Sequence, residues 1–490
     1  MKPTLSRHLA GSLRQRGFSL VELMISITIS LIILAGLSAM LVNISRSNNE
    51  MARSNSQIEN GRFAIQVLEH EIVHAGFWGE YVPQFDDLSW LFVASDSPVA
   101  TLPSPCRAYL ADDHDASTTT DWDFNYINSM LGLPIQVSAD APAGCTLDHK
   151  ADNTDVIVVR HGSTCLPGEP NCEDDLAGKL YLQSSMCAEG TYGTTQTGTT
   201  TTAVVLPAPS SVANTSSITD AYRGATLRML SGTQAGQTRT ISGYVGTNYT
   251  ATVSPAFATA PADGDAFTIV NEVLSTDTFP LRKKTCLASA PAVKRKFESN
   301  MFYIRDYAAT VGDGIPTLVR SSFDLGGTPA VLAHQAPEAL VEGIERFSVE
   351  LGIDDTVKRC PTATLVSDTV KVARISPTTC LIDTVNDSNN TLPTNRGDGN
   401  ADRFVQCTTA APCLPAVLRN AVEAKIFLLV RSTEPTPGYT DSKTYCLASL
   451  PVGGTCPDTS TAGPFSDGYK RHLFSTTIRL TSISGRRETP

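Results

Sequence analysis

Residues 18–42, FSLVELMISITISLIILAGLSAMLV, form a run of 25 residues whose only charge is Glu22. An α-helix rises about 1.5 Å per residue, so this run is long enough to cross a hydrocarbon core of about 30 Å. Before it stand 17 residues that hold Lys2, Arg7, Arg14 and Arg16 and no acid, and that end in Arg16-Gly17. A cleaved secretory signal has a shorter apolar region and is cut after it, at small residues. Here the small residue, Gly17, precedes the apolar run on its basic, cytoplasmic side. A plain signal anchor accounts for the length and the basic flank but not for Glu22. An unpaired carboxylate near the membrane interior is costly and marks a function.

No proline occurs from Asn43 to Gly76, and Ile58, Ile65, Leu68, Ile72 and Ala75 recur at helical spacing. This predicts one helix over residues 18–76, about 88 Å long at 1.5 Å per residue. Its first half (18–42) belongs to a membrane or filament core, and its second half lies against a globular head. Near its end stands HEIVH, residues 70–74, the spacing at which two histidines of one helix hold zinc and a glutamate serves as general base. At 100° per residue, His70 and His74 point away from the apolar stripe, on the side of Phe63 and Val67. That side suits neighbouring subunits. A zinc site also needs a third ligand and a cleft. The extended protease motif asks for Gly at 77 and His at 80, where this chain has Phe77 and Glu80. The two histidines therefore read as solvated or subunit-facing, with no metal and no catalytic set assigned.

From Phe77 onward short alternating apolar segments replace the helical period. DVIVVR (155–160), MFYIR (301–305), TLVRSSF (317–323), AKIFLLVRS (424–432) and HLFSTTIRLTSI (472–483) read as strands. ALVEGIERFSVELGID (339–354) reads as a short helical turn leading into a strand. Together with the long helix these make an α+β chain whose head is antiparallel. Residues 190–275 differ: a Thr/Gly-rich tract, TYGTTQTGTTTTAVV, precedes short alternating strands separated by Gly turns. They read as a small all-β module inserted between head segments 77–189 and 276–490.

Twelve cysteines, with no Cys-x-x-Cys, point to disulfides in an oxidising compartment rather than to zinc knuckles. The expected pairs are Cys106–Cys145, Cys165–Cys172, Cys187–Cys286 at the base of the inserted module, Cys360–Cys380, Cys407–Cys413 and Cys446–Cys456, although sequence leaves the connectivity open. The net charge is −11, and −15 without the first 17 residues. An acidic body repels phosphate backbones, so nucleic acid is not an expected partner. Asp398, Asn400 and Asp402 of DGNAD alternate like the start of a calcium loop, but Arg403 and Thr409 occupy positions where that loop needs Gly and Glu. A surface turn is the simpler reading. The phosphate loop, the nucleophile elbow and the dinucleotide fingerprint are missing, and no cofactor is expected.

The stretch RGFSLVELMISITIS (16–30) resembles the type IV prepilin signature. LEHEIVHAGFWG, LVEGIERFSVELGID, DGNADRFV, RNAVEAKIFLLVRS and YKRHLFSTTIRL resemble segments of the PilW family of minor pilins, in the order of that family. The resemblance spans residues 8–80 and 296–484 and leaves out the middle. It implies a pilin-like fold, with cleavage by the prepilin peptidase between Gly17 and Phe18 and methylation of Phe18. It makes Glu22 the fifth residue of the mature chain, where a carboxylate can pair with a neighbour's α-ammonium and so lower the cost of burying either charge. It implies a single-pass precursor in the bacterial inner membrane with a periplasmic head. That precursor is then extracted into an extracellular pilus with other minor and major pilins, near the tip, where it primes assembly. A type II secretion pseudopilin shares the leader and the helix. An adhesin acting through residues 190–275 is a further reading.

Overall fold

A computed structural model describes residues 19–83, 102–109, 122, 124–185, 192–209, 215–219, 221–223, 225–270, 272–276, 279, 281, 283, 290–328, 330–354, 374–375, 382–383, 398–450 and 454–487. Four helices lie among them: α1 (Leu20–Val73), α2 (Phe124–Gly132), α3 (Pro415–Leu418) and α4 (Thr481–Arg487). All pairings between the described strands are antiparallel, so the architecture is α+β, as the sequence predicts. The chain divides into two compact units, residues 1–56 and 57–490. Within the first, the described residues 20–50 are helical and solvent-exposed throughout.

The second unit holds the end of α1 and the sheets. In one head sheet the central strand Lys294–Arg305 pairs with Val156–Gly162 on one side and Thr317–Gly326 on the other. Val156–Gly162 in turn pairs with Ile135–Ser138. A second sheet has the order Arg403–Gln406, Ile344–Ile353, Ala421–Arg431, Arg471–Arg479. The main core joins Ala64, Leu68, Ile72 and Ala75 of the helix segment to Ile157, Val159, Phe302 and Ile304 of one sheet and to Phe347, Val349, Ile426 and Leu428 of the other. Val156, Val158, Met301, Tyr303 and Val319 form a separate cluster. Successive side chains of a strand point to opposite faces, so burial on both sides explains why VIVVR is an unbroken apolar run.

Residues 192–270 carry a six-stranded sheet with its own apolar core, built on Leu227, Ile241, Tyr244, Val253, Phe267 and Ile269 among others. Where this segment leaves and rejoins the head, Tyr181–Ser184 pairs with Glu272–Ser275. Gln183 ties the return path, its Nε2 donating to Ala292 O (2.9 Å) and its Oε1 accepting from Leu281 N (2.8 Å). Cys187, Cys286, Cys360 and Cys380 lie outside the described residues. Cys106–Cys145, Cys165–Cys172, Cys407–Cys413 and Cys446–Cys456 are disulfides.

Two expectations are corrected. The helical turn near residue 340 is instead a strand, Glu338–Glu342, paired with Thr317–Arg320 of the first sheet. Gly343 then breaks the line, and Ile344–Ile353 runs in the second sheet. Gly343 has φ +80°, and a Cβ there would meet Arg431 O at 2.6 Å, so this crossing from sheet to sheet requires glycine. Helix formers such as Ala, Leu and Glu yield here to sheet pairing. The last strand stops at Arg479, and Thr481–Arg487 is helical. That turn serves α1: Thr481 Oγ1 donates to Val73 O (2.8 Å), Arg486 Nη1 donates to Gly76 O (3.1 Å), and Ile483 enters the main core. Carbonyls at a helix C-terminus lack intrahelical partners, and these side chains supply them.

Asp155 joins the two sheets. Its N–H donates to Phe347 O and its Oδ2 accepts from Val349 N, both at 2.8 Å. Burial pushes its carboxyl up to about 7, against the Val349 hydrogen bond and the charge of Lys150. An acid raised from about 3.9 in the unfolded chain makes the fold bind more protons than the unfolded state. Stability should therefore fall as pH rises from about 4 to 7, by up to about 4 kcal/mol for a shift of about three units. Asp155→Asn should remove this component. Urea unfolding of residues 57–490 at pH 5 and pH 8 checks it. The wild type should lose more stability than the variant between the two, and equal losses refute the assignment.

Candidate functional site

The two ends of α1 carry its chemistry. Gly17 and Phe18 lie outside the described residues. Ser19 N donates to Glu22 Oε2 (3.0 Å), and Glu22 N donates to Ser19 Oγ (3.2 Å). This is a reciprocal capping box, which satisfies two of the orphan donors at a helix start and places a carboxylate against the positive end of the helix dipole. The next polar side chains fold back on their own helix. Ser26 Oγ donates to Glu22 O (2.7 Å), and Thr28 Oγ1 donates to Met24 O. No hydroxyl of these two is left unsatisfied in an apolar medium. The large apolar side chains from Leu20 to Val42 are all at least half exposed. The helix is long and apolar enough to cross a membrane. Such a surface is stable in lipid or against other apolar helices, not in water.

At the other end, α1 docks through polar as well as apolar contacts. Gln57 Nε2 donates to Val430 O (2.5 Å) and Lys470 O (3.0 Å), and Asn60 Nδ2 donates to Glu342 O (3.1 Å). Gly61 lets the Phe474 ring approach so closely that a Cβ would lie 2.4 Å from it. After the helix, Gly76 adopts φ +73° and donates its N–H to Arg160 O (3.0 Å), while Gly162 N donates to Phe77 O (2.6 Å). The chain end is thus laced to the Val156–Gly162 strand.

The HEIVH question is settled by where its residues sit. Glu71 is buried, and its carboxylate is taken up by neighbouring side chains. Its Oε2 accepts from Asn300 Nδ2 (2.8 Å) and from His161 Nε2 (3.3 Å), and Arg320 Nη1 stands 4.0 Å from Oε1. Burial pushes Glu71 up, but the hydrogen bonds from His161 and Asn300 and the charges of His161 and Arg320 outweigh it, so its carboxyl sits below the usual range. Burial pushes His161 down, and the Glu71 hydrogen bond with the charge of Glu298 more than reverses this. His70 is exposed, as expected of the outward side. His74 is only half-exposed, with its ring 5.9 Å from that of His161, and Val67 packs partly against the core. The outward face is therefore narrower than periodicity predicts: Phe63 and His70 hold it, Val67 and His74 do not. Among the described residues no three His, Cys, Asp or Glu are grouped so as to hold a metal ion.

DGNAD is a pinned turn. Asp354 accepts from Asp398 N (3.0 Å) and Gly399 N (2.7 Å), Asp398 Oδ1 accepts from Asn400 N (3.1 Å), and Asp402 N donates to Ile353 O (2.8 Å). Asp398, Asn400 and Asp402 shape the approach to the Arg403–Gln406 strand. A cleft of about 250 Å³ is lined by Leu147, Asp148, Met301, Tyr303, Ser321 and His334 among others. Ser321 Oγ donates to Gln335 O (2.7 Å) and lies 3.2 Å from His334 Nδ1, a nitrogen that also lies 3.0 Å from the backbone Ser321 O.

Sequence reasoning missed Glu71, Asn300, Arg320 and His161 as a cluster. One signal was available: Glu71 falls between Leu68 and Ile72 on the apolar stripe, where a carboxylate is out of place unless paired.

Two family models match the chain: the prokaryotic N-terminal methylation motif over residues 12–38, and the type IV pilus-assembly protein W family (PilW) over residues 301–482. The similarity read over residues 39–80 lies outside both intervals, and residues 190–275 are likewise unmatched. No curated protein and no solved structure matches the chain.

Proposed function

We propose, from the PilW match over residues 301–482 and the methylation motif over residues 12–38, that this chain is a minor pilin of the PilW type acting in pilus assembly near the filament tip. Its precursor sits in the inner membrane by one helix, with residues 57–490 in the periplasm. The prepilin peptidase cuts between Gly17 and Phe18 and the new Phe18 amine is methylated. Glu22 then pairs with the amine of a neighbouring pilin as the subunit leaves the bilayer for the filament. The protein is a substrate and a building block, not an enzyme.

The observation that carries this reading is the methylation motif running directly into a capped helix whose apolar side chains from Leu20 to Val42 are at least half exposed. Such a helix is at home in a bilayer and in a bundle of like helices, which a subunit that moves between the two requires. The PilW match on the head favours the pilus over a secretion pseudopilus. Residues 192–270, whose apolar core also takes in Leu281 and Ala292 of the return path, are proposed as a module carried by the pilin head. Mass spectrometry of the chain recovered from sheared filaments should find an N-terminus at methylated Phe18. Chains that retain Met1 in cells with an active prepilin peptidase would refute the reading.

A further inference from the structure

His161 sits where α1 ends and the sheet begins, and both of its ring nitrogens face acceptors. Nδ1 lies 3.1 Å from Gly162 O, and Nε2 lies 3.3 Å from Glu71 Oε2 and 4.0 Å from Glu298 Oε2. A neutral imidazole has one N–H and one lone pair, so it can satisfy only one side of this arrangement. The other side then sets a lone pair against a carbonyl or a carboxylate oxygen. An imidazolium, with two N–H groups, satisfies both. Glu71 is already committed as an acceptor, because Asn300 donates to the same Oε2 and Arg320 flanks its Oε1.

We propose that His161 is a proton-operated latch that fastens the last turn of α1 to the head: protonated, it bonds Glu71 on the helix and Gly162 on the strand at once, and on losing its proton it lets that turn loosen. Each packed element contributes to the charge around the ring. α1 brings Glu71 and the turn after it the His74 ring, the Lys294–Arg305 strand brings Glu298 and Asn300, the Thr317–Gly326 strand brings Arg320, and Arg160 precedes His161 on its own strand. The backbone lacing lies next door, since Gly76 N bonds Arg160 O and Gly162 N bonds Phe77 O. A change in how His161 holds Gly162 therefore acts directly on the residues that fix the helix end.

The sign follows from linkage. A histidine held protonated by its fold contributes stability that is complete below its unfolded pKa, about 6.5, and is lost as pH rises through its higher folded value. Glu71 works in the opposite sense, adding stability above about 4.5 that is lost in acid. The latch is closed in mildly acidic medium and opens toward alkaline pH. A head exposed outside the cytoplasm takes the pH of the medium, so the medium sets how firmly α1 is held.

The test is amide hydrogen exchange of the full-length chain in detergent micelles, read by mass spectrometry and corrected for the intrinsic pH dependence of exchange. Peptides covering residues 66–78 should lose protection between pH 6 and pH 8.5, about tenfold for each unit by which the fold raises the His161 pKa. Peptides from the Ala421–Arg431 strand should not. His161→Gln should exchange fast at both pH values, and Glu71→Gln should flatten the profile. A flat wild-type profile, or a His161→Gln profile that still matches the wild type, overturns the latch. Should the variants fail to fold, ¹⁵N shifts of labelled histidine in the wild type decide: both His161 nitrogens protonated at pH 6 supports the latch, and a neutral tautomer ends it. None of these readings depends on filament incorporation, so the latch and the pilin assignment can fail separately.

Discussion

Glu22→Ala is expected to leave the chain synthesised, inserted and cleaved but to remove it from filaments. The capping box shows what the substitution costs locally. Glu22 Oε2 accepts one backbone N–H from Ser19, and losing a cap of this kind costs about 0.5–2 kcal/mol. That is too little to unfold a helix of 54 residues, and Ser19 Oγ still accepts from the residue 22 N–H. The larger cost falls on assembly. A neighbour's α-ammonium entering an apolar bundle without a counter-charge faces a desolvation penalty of several kcal/mol. Incorporation should therefore drop by roughly a hundredfold or more, since 1.4 kcal/mol is a factor of ten. Immunoblots of sheared filaments against whole cells measure it, with the mass of the mature N-terminus as the control for processing. Wild-type amounts of the variant in filaments would remove Glu22 from the proposed role. Glu22→Asp separates charge from reach: its carboxylate is shorter by one methylene, so partial recovery points to ion pairing.

Much of this organisation is legible from local pattern because the features concerned are local. A run of 25 residues with one charge needs no tertiary partner to be read as a helix for an apolar medium. The strand Val156–Gly162 and the IFLLV run of Ala421–Arg431 announce themselves because burial on two faces demands continuous β-branched and aliphatic residues, while Thr317–Gly326 shows the period of two of a strand with one face more exposed. What escapes is what depends on distant residues. Thr481 and Arg486 turn helical because they meet α1 more than 400 positions earlier. Glu338–Glu342 is a strand because Thr317–Arg320 offers it an edge. His74 looked outward by periodicity, but His161, distant in sequence, brings a ring to within 5.9 Å of it.

Arg471 is the clearest case of a residue whose role no local pattern reveals, and its replacement is expected to be the most damaging single change in the head. It sits at the start of the last strand with its side chain fully buried. Three carboxylates from three separate places converge on it. Its Nε lies 2.5 Å and its Nη2 3.0 Å from Glu345, its Nη1 lies 3.0 Å from Asp441, and both Nη atoms lie 2.7 Å from Asp467. The guanidinium also stacks 3.7 Å over the Phe465 ring. Asp441 is itself fully buried and accepts hydroxyl hydrogens from Tyr439 and Tyr445. The network fastens the segment between residues 432 and 470, which covers Phe427 and Leu429 of the second sheet with Leu447 and Ala462. Arg471→Ala leaves Asp441 without its cation in a dry setting and leaves Glu345 only Arg431, 3.4 Å away, a change that costs about 3–5 kcal/mol. Arg471→Lys keeps the charge but loses the planar fork that serves three carboxylates, so it should recover only part of the loss. Urea unfolding of residues 57–490 gives the size of the effect. Limited proteolysis locates it, with the first new cuts expected between residues 432 and 470. A loss below about 1 kcal/mol, the range of exposed ion pairs, would mean that the network contributes no more than a surface salt bridge does and that apolar packing alone holds this segment down.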